Sequence, residues 1–313
     1  MKEHNIFREN LAYAQRLEKN LAALRNAQYA QIADRAMHVW KGTADTDRIA
    51  SLYLTGDPYT LPEDLSLSHA DLCTPDFARF CSHFTDSIQA DGLQFADKDN
   101  TADDLAEEDS DEDGGFWDEA ETDNDTNVRT AYMQNSYTDR AWRQFAGAVP
   151  EMTAEYFSSY PAVCEEVYNG RCRYGILPLY TSTDGQLVSF RKLIGKYDLK
   201  ICLETEVELA DESVMRFALL CRRLRGDTEG LLPQYMEISV VLPENGSAGS
   251  LIAACEALGV VVTAVYTIPL EYADHTQEFC LELYLPGADL AGLSVFLEAS
   301  QLRYTIVGMY SII

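Results

Sequence analysis

The sequence predicts an α+β chain of several domains: a helical N-terminal region, a single α/β lobe, and a C-terminal module of order βαββαβ. Three observations carry this reading. From residue 4 to about 40, apolar residues recur in three- and four-residue steps, the period of an amphipathic helix. Between Tyr174 and Arg223, apolar runs flank a glycine turn and an amphipathic segment, which is a strand–helix–strand pattern. From Tyr235 onward, four short apolar runs and two helical periods alternate in the βαββαβ order.

The first helix is built on Phe7, Leu11, Ala14, Leu17, Leu21 and Leu24, with Ile32, Met37 and Val39 extending the apolar surface. Lys41-Gly42-Thr43 stops it, and Asp45-Thr46-Asp47-Arg48 opens a short second helix that runs to Leu54. Gly56-Asp57-Pro58 and Leu61-Pro62 break the chain. A third helix runs from Thr74, its N-cap, to about Gly92; Pro75 opens it, and Phe77, Phe80, Phe84 and Ile88 form its stripe.

Residues 97–125 hold fifteen acids against Lys98, which accounts for −14 of the chain's net −27. A segment that repels itself so strongly has no means of closing a core and reads as a disordered linker. Asp109-Ser110-Asp111-Glu112-Asp113-Gly114 has the look of a calcium loop but lacks the closing glutamate and flanking helices, so no metal is expected. The eight cysteines (73, 81, 164, 172, 202, 221, 255 and 280) are scattered through apolar patterns without a Cys-x-x-Cys pair; buried thiols in a reducing cytosol are expected. The acidic balance argues against nucleic acid and anionic membrane as partners. There is no apolar run of roughly 18 residues, and Met1–Asn5 opens a polar helix, so neither a transmembrane span nor a secretory signal is expected and the cytoplasm is the expected location.

The α/β lobe begins with a strand, Val128–Tyr132, and a helix opened by Tyr137-Thr138-Asp139. A helix from Phe157 to Asn169, a strand from Tyr174 to Pro178, a helix from Phe190 to Leu199 and strands from Ile201 and Met215 complete it. After a linker at 226–233 come strand Tyr235–Leu242, helix Ala248–Leu258, strands Val260–Ile268 and Glu278–Leu285, helix Leu290–Ser300 and strand Tyr304–Tyr310.

Pro178-Leu179-Tyr180-Thr181-Ser182 and Met215-Arg216-Phe217, in this order, resemble the two signatures of prephenate dehydratases. In that family the first strand ends in Pro-Ile-Glu-Asn-Ser and a later one begins with Thr-Arg-Phe. Ser182 and Arg216 are the remnants; the family's Glu, Asn and catalytic Thr are absent here. Tyr137-Thr138 keeps the aromatic–hydroxyl pair of the family's entry motif, but Asn135 and Ser136 stand where its glycine turn belongs. The family places a whole second lobe between the signatures, whereas only about thirty residues separate Ser182 from Met215. The resemblance therefore implies a truncated lobe with the dehydratase lost.

The N-terminal helices resemble the chorismate mutase domain of bifunctional mutase–dehydratases. Arg8, Arg25, Asp45, Arg48 and Ser87 would be its anion site, with Ile49 and Asp91 replacing the family's Glu and Gln. The C-terminal module resembles an ACT domain, in which Gly249-Ser250-Leu251 stands for Gly-Ala-Leu and would hold an amino-acid carboxylate at a helix N-terminus. Glu271, Asp274 and Glu278 would face the ligand's ammonium, while Val261 and Ile268 replace the asparagine and arginine of phenylalanine sites.

The domains expected are thus 1–95, chorismate-mutase-like; 96–127, acidic linker; 128–226, truncated dehydratase-like lobe; and 233–313, ACT. The resemblance implies a degenerate protein of phenylalanine biosynthesis. It would be a homodimer through the ACT domain, held by Val240, Val262, Val265 and Leu283, and would act by binding a small carboxylate, an amino-acid effector or a partner enzyme, without a cofactor. The alternative is an enzyme that retains mutase activity under effector control, and a third class is a purely structural interaction protein.

Overall fold

A computed structural model of the chain describes residues 2–39, 67, 69–90, 128–210, 212–224, 231–242, 246–269, 277–300 and 302–313. The expected second helix at Asp45–Leu54, the acidic segment 97–125, and Glu271 and Asp274 lie outside the described residues. The chain divides into two compact units, each assembled from segments far apart in sequence: one from residues 1–99, 242–261 and 287–303, the other from residues 100–241, 262–286 and 304–313.

The first unit is helical. It contains α1 (Lys2–Val39), α2 (His69–Leu72), α3 (Pro75–Ala90), α7 (Ala248–Ala257) and α8 (Leu290–Ala299). Helices α7 and α8 pack against α3, and α1 lies against α8 and α3. Thr74 caps α3 by accepting from the Phe77 N–H at 3.3 Å, and Phe77, Phe80 and Phe84 are buried as their spacing predicts. The apolar stripe expected of α1 is not its buried face: Leu11, Leu17 and Leu21 are exposed, and Ala23, Ala27, Ala30, Ala33 and Ala36 are buried with Tyr29. Small side chains let a neighbouring helix approach closely, and the Tyr29 ring then sits 4.8 Å from Phe77 and 5.4 Å from Phe80.

Among the described residues, the second unit is a ten-stranded sheet with three helices. Its elements are β1 (Val128–Met133), α4 (Ser136–Ala148), β2 (Met152–Phe157), α5 (Tyr160–Tyr168), β3 (Tyr174–Thr181), β4 (Gly185–Gln186), α6 (Val188–Lys196), β5 (Lys200–Glu208), β6 (Val214–Cys221), β7 (Tyr235–Val241), β8 (Val261–Pro269), β9 (Gln277–Tyr284) and β10 (Arg303–Ile312). The strand order is β2-β1-β3-β6-β5-β10-β7-β9-β8, with β4 paired to β3 alone. Strand β1 is parallel to both β2 and β3, while β6 is antiparallel to β3 and β5. The strands of the βαββαβ segment thus join the lobe's sheet through a parallel pairing of β10 with β5.

The core of the lobe lies on both faces of these strands. Ala141 and Phe145 of α4 pack with Tyr132, Ile176 and Phe217 on one face; Val163 and Val167 of α5 and Ile194 of α6 pack with Leu177, Leu179 and Leu220 on the other. Strand β3 is covered on both sides, which its unbroken apolar run encodes. A Cβ at Gly175 would come within 2.9 Å of Val167 and 3.1 Å of Val163, so glycine there sets the distance of α5 from the sheet. Pro178 has no N–H to give the ladder, and the β3–β6 register shifts just after it.

Two sequence expectations are corrected here. Met152–Phe157 is a strand that the sequence reading missed, and the helix expected from Phe157 starts only at Tyr160, where Ser159 caps it and Pro161 fits its first turn. Val240 and Leu283 are fully buried within one chain, so of the four residues expected to hold a dimer only Val262 and Val265 keep exposed surface.

Candidate functional site

The chain passes from β1 through α4 to β2 on one side, then through α5 to β3 on the other. Such a reversal opens a crevice beyond the carboxyl ends of the central strands, the usual ligand position in open α/β sheets. Here those ends carry Asn135 and Tyr137 after β1, Thr181 to Asp184 after β3, and Arg216, which stands opposite Tyr180 on β6.

Most polar groups at this edge are bound to their own surroundings. The Asn135 side chain accepts from the N–H groups of Tyr137, at 3.0 Å, and Thr138, at 2.9 Å, and so caps α4. Thr181 Oγ1 accepts from the Asp184 N–H at 2.9 Å and donates to Asp184 Oδ2 at 3.1 Å, which closes that turn on itself. Ser182 is exposed, and its Oγ accepts from the Val214 N–H at 2.9 Å while its own N–H donates to the Val214 carbonyl at 2.8 Å. It pins the end of β3 to β6.

Arg216 is the cation of this edge, and it faces inward to carboxyl groups. Nη1 lies 3.5 Å from Glu204 Oε2 and 3.3 Å from Glu282 Oε2; Nη2 lies 3.3 Å from Glu206 Oε1. The guanidinium also covers the Tyr180 ring at 5.7 Å. A flat sheet would set β6 and β9 about 19 Å apart, beyond the joint reach of an arginine and a glutamate, so the sheet coils strongly on this face.

Behind Arg216 is a second, deeper pair that the sequence reading missed. Arg191 Nη1 lies 2.6 Å from both carboxylate oxygens of Glu237, with the two side chains 2% and 1% exposed. Tyr266 donates to Glu237 Oε1 at 2.6 Å and offers its ring to Arg191 at 5.1 Å. Burial works most strongly against the Arg191 charge, but Glu237 together with Tyr266, Glu204 and Tyr310 outweighs it and holds the guanidinium protonated. Glu237 stands directly opposite Glu282 in the β7–β9 register. Two carboxylates so placed repel, and each is met by its own cation and tyrosine: Glu282 accepts from Tyr310 at 3.0 Å and from Thr263 at 2.7 Å.

The other predicted site residues that are described belong to the first unit. Arg25 is exposed on α1; Asp45 and Arg48 lie outside the described residues, as do the side chains of Arg8 and Ser87. Gly249 and Ser250 are exposed in the first turn of α7 and Leu251 is buried. The Ser250 N–H donates to Ser247 Oγ at 3.4 Å, and a Cβ at Gly249 would meet that oxygen at an ordinary 3.5 Å. Glycine is therefore not sterically required there. Among the described residues no group of acids, cysteines and histidines is placed to hold a metal ion. All eight cysteines are buried, and no described helix is long and apolar enough to cross a membrane.

Residues 133–216, which include this edge, match the family described as prephenate dehydratase. Among solved structures, the prephenate dehydratase of Streptococcus mutans is similar at 20% identity and a TM-score of 0.49, covering 59% of this chain and 98% of its own. A protein described as "GqqA- a novel type of quorum quenching acylases" is similar at 19% identity and a TM-score of 0.48, covering 58% of this chain and 94% of its own. The Arthrobacter aurescens prephenate dehydratase, solved in complex with L-Phe, is similar at 13% identity and a TM-score of 0.46, covering 59% and 90%. No curated protein matches the chain.

Proposed function

We propose that the chain is a prephenate-dehydratase-like protein of aromatic amino-acid metabolism that does not dehydrate prephenate and acts instead by binding a small carboxylate, an amino acid or a partner enzyme. The family match over residues 133–216 supports the first half of this reading. The engagement of Arg216 carries the second. Prephenate brings two carboxylates, and a cation receives one well only when no protein carboxyl competes for it. Arg216 already faces Glu204, Glu206 and Glu282. Its neighbour Met215 has no proton to give, and Ser182 Oγ is committed to the Val214 N–H.

In the same reading, the βαββαβ segment is an ACT-like effector and dimer unit, and the strand order β10-β7-β9-β8 gives it a four-stranded sheet. Phenylalanine would bind it weakly, since Val261 and Ile268 replace the polar side chains of phenylalanine sites.

Incubation of pure protein with prephenate tests the reading, with phenylpyruvate as the readout. No formation above the uncatalysed rate is expected; steady turnover that disappears in Arg216→Ala would sink it. Thermal shift with millimolar phenylalanine tests the effector half, because stabilisation grows only as the logarithm of ligand over dissociation constant. A small shift is expected, and a large one lost in Gly249→Val would restore an intact regulatory site.

A further inference from the structure

The cluster of charges spans the seam where β10 pairs with β5, and one member accepts no hydrogen bond there. Glu204 is fully buried, and neither of its carboxyl oxygens is hydrogen-bonded among the described residues. It stands opposite Ile312 in the β5–β10 register. Arg216 Nη1 lies between its Oε2, at 3.5 Å, and Glu282 Oε2, at 3.3 Å. One nitrogen thus faces two carboxyl groups, one on β5 and the other beyond the seam on β9.

Every surrounding element contributes to what Glu204 meets. Arg191 comes from α6, Arg216 from β6, Glu237 from β7, Glu282 from β9 and Tyr310 from β10, while Tyr266 of β8 reaches Glu237. On β5 itself Glu206 is half exposed and takes Arg216 Nη2. Arg140 and Gln144 of α4 donate to the Glu208 and Glu206 carbonyls, and Gln144 accepts from Thr205. The buried Arg191 and the partly exposed Arg216 already meet Glu237 and Glu282, so a third buried negative charge has no counter-ion of its own. Burial pushes the Glu204 carboxyl up to about 8; Arg191 and Arg216 pull it down, and Glu237 and Glu282 add to the rise.

We propose that Glu204 is a proton-operated latch on the seam between the β1–β6 strands and the β10-β7-β9-β8 sheet. With its proton on, Glu204 leaves Arg216 to Glu282, and the ion pair ties β6 to β9. With its proton lost, Glu204 competes for the same nitrogen, Arg216 turns to its neighbour on β5, and the tie across the seam is released. The loosened strand is β10, whose pairing with β5 is already interrupted by a register shift between Gly308 and Ser311.

Amide hydrogen exchange on the full chain, read by NMR and corrected for the intrinsic pH dependence of exchange, tests this. Protection of the β10 amides is expected to fall about tenfold between about pH 6 and about pH 9, the effect of losing one charge-assisted contact. Protection in β1 and β3 should fall less than in β10, by no more than the loss of global stability over the same range, and Glu204→Gln should abolish the fall in β10. No fall in β10, an equal fall in β1, or a fall that survives Glu204→Gln overturns the proposal. Should Glu204→Gln not fold, Glu282→Gln decides: it is expected to show at about pH 6 the low β10 protection that the native chain reaches only at about pH 9. Unchanged protection in that variant would overturn the latch equally.

Discussion

The carboxyl edge of β1–β3 and the charged interior behind Arg216 use polar residues in opposite ways. At the edge, Asn135, Thr181 and Ser182 are bonded to backbone within a turn or across one strand pair, and each contact could be lost without leaving a buried charge. In the interior, Arg191, Glu204, Glu237 and Glu282 come from four different elements and are nearly or fully buried, so Arg191 and Glu204 depend on their neighbours for their charge states. A polar group at a strand end contributes little and costs little to remove. A buried charge dominates the stability of its surroundings once its partner is gone.

The largest effect expected from breaking that contrast is in Arg191→Met. The substitution keeps much of the side chain's bulk but leaves Glu237 without its cation, directly opposite Glu282. Removing one partner of a buried pair costs about 3–5 kcal/mol. A urea midpoint within error of the native chain would show that solvent reaches Glu237 and that the interior is no different from the edge.

The interior should also give the chain an unusual pH dependence. The Glu204 carboxyl is raised to about 8, above the ordinary glutamate value that it regains on unfolding. Between those two values the unfolded chain has released the proton and the folded chain has not, so stability falls as pH rises. The contribution is fully present below about pH 4 and is lost as the pH climbs to about 8. Urea unfolding at a series of pH values should show this decline in the native chain and a flatter profile in Glu204→Gln. A stability that rises over that range in both would remove Glu204 from the cluster's control.

The same contrast explains what the sequence discloses. The buried run of β3, the phenylalanine stripe of α3 and the order of the last six elements follow local periodicity, and all are present. Strand β2 did not show itself because it lies at the sheet's edge and interleaves Ala154 and Glu155 with its apolar residues. The face that α1 buries was misread because its alanines carry a weaker apolar signal than Leu11, Leu17 and Leu21, which stay exposed. Ser182 and Arg216 were visible as motif remnants, but their roles were not. That Glu282 would meet both Glu237 and Arg216 depends on the β7–β9 register and on a seam joining strands about a hundred residues apart. No local pattern encodes such a pairing. A glutamate on each of two strands, at positions where neighbouring residues of both parities are apolar, was the one available sign of a buried acid.

At the edge, Asn135→Ala should cost about 1 kcal/mol, the usual loss when a helix N-cap side chain is removed. Both N–H groups it accepts from belong to the first turn of α4. A loss several times larger would mean that Asn135 also organises the far side of the crevice. In that case the edge would be as interdependent as the interior.

Ser182→Ala should have the smallest effect. The hydroxyl accepts one hydrogen bond, from the Val214 N–H at 2.9 Å, and the residue is exposed, so water can take over that donor when the oxygen is gone. The backbone bond from the Ser182 N–H to the Val214 carbonyl does not involve the side chain and remains to close the β3–β6 pairing. A net hydrogen bond in such a setting contributes about 0.5–1 kcal/mol. Chemical denaturation should therefore place Ser182→Ala within about 1 kcal/mol of the native chain, with an unchanged slope against denaturant. Binding of a small carboxylate, followed by calorimetry, should be equally indifferent to the change if Ser182 is only a strand-end clasp. A loss of carboxylate binding without a loss of stability would give this residue to the ligand and return the edge of β3 to the status of a working site.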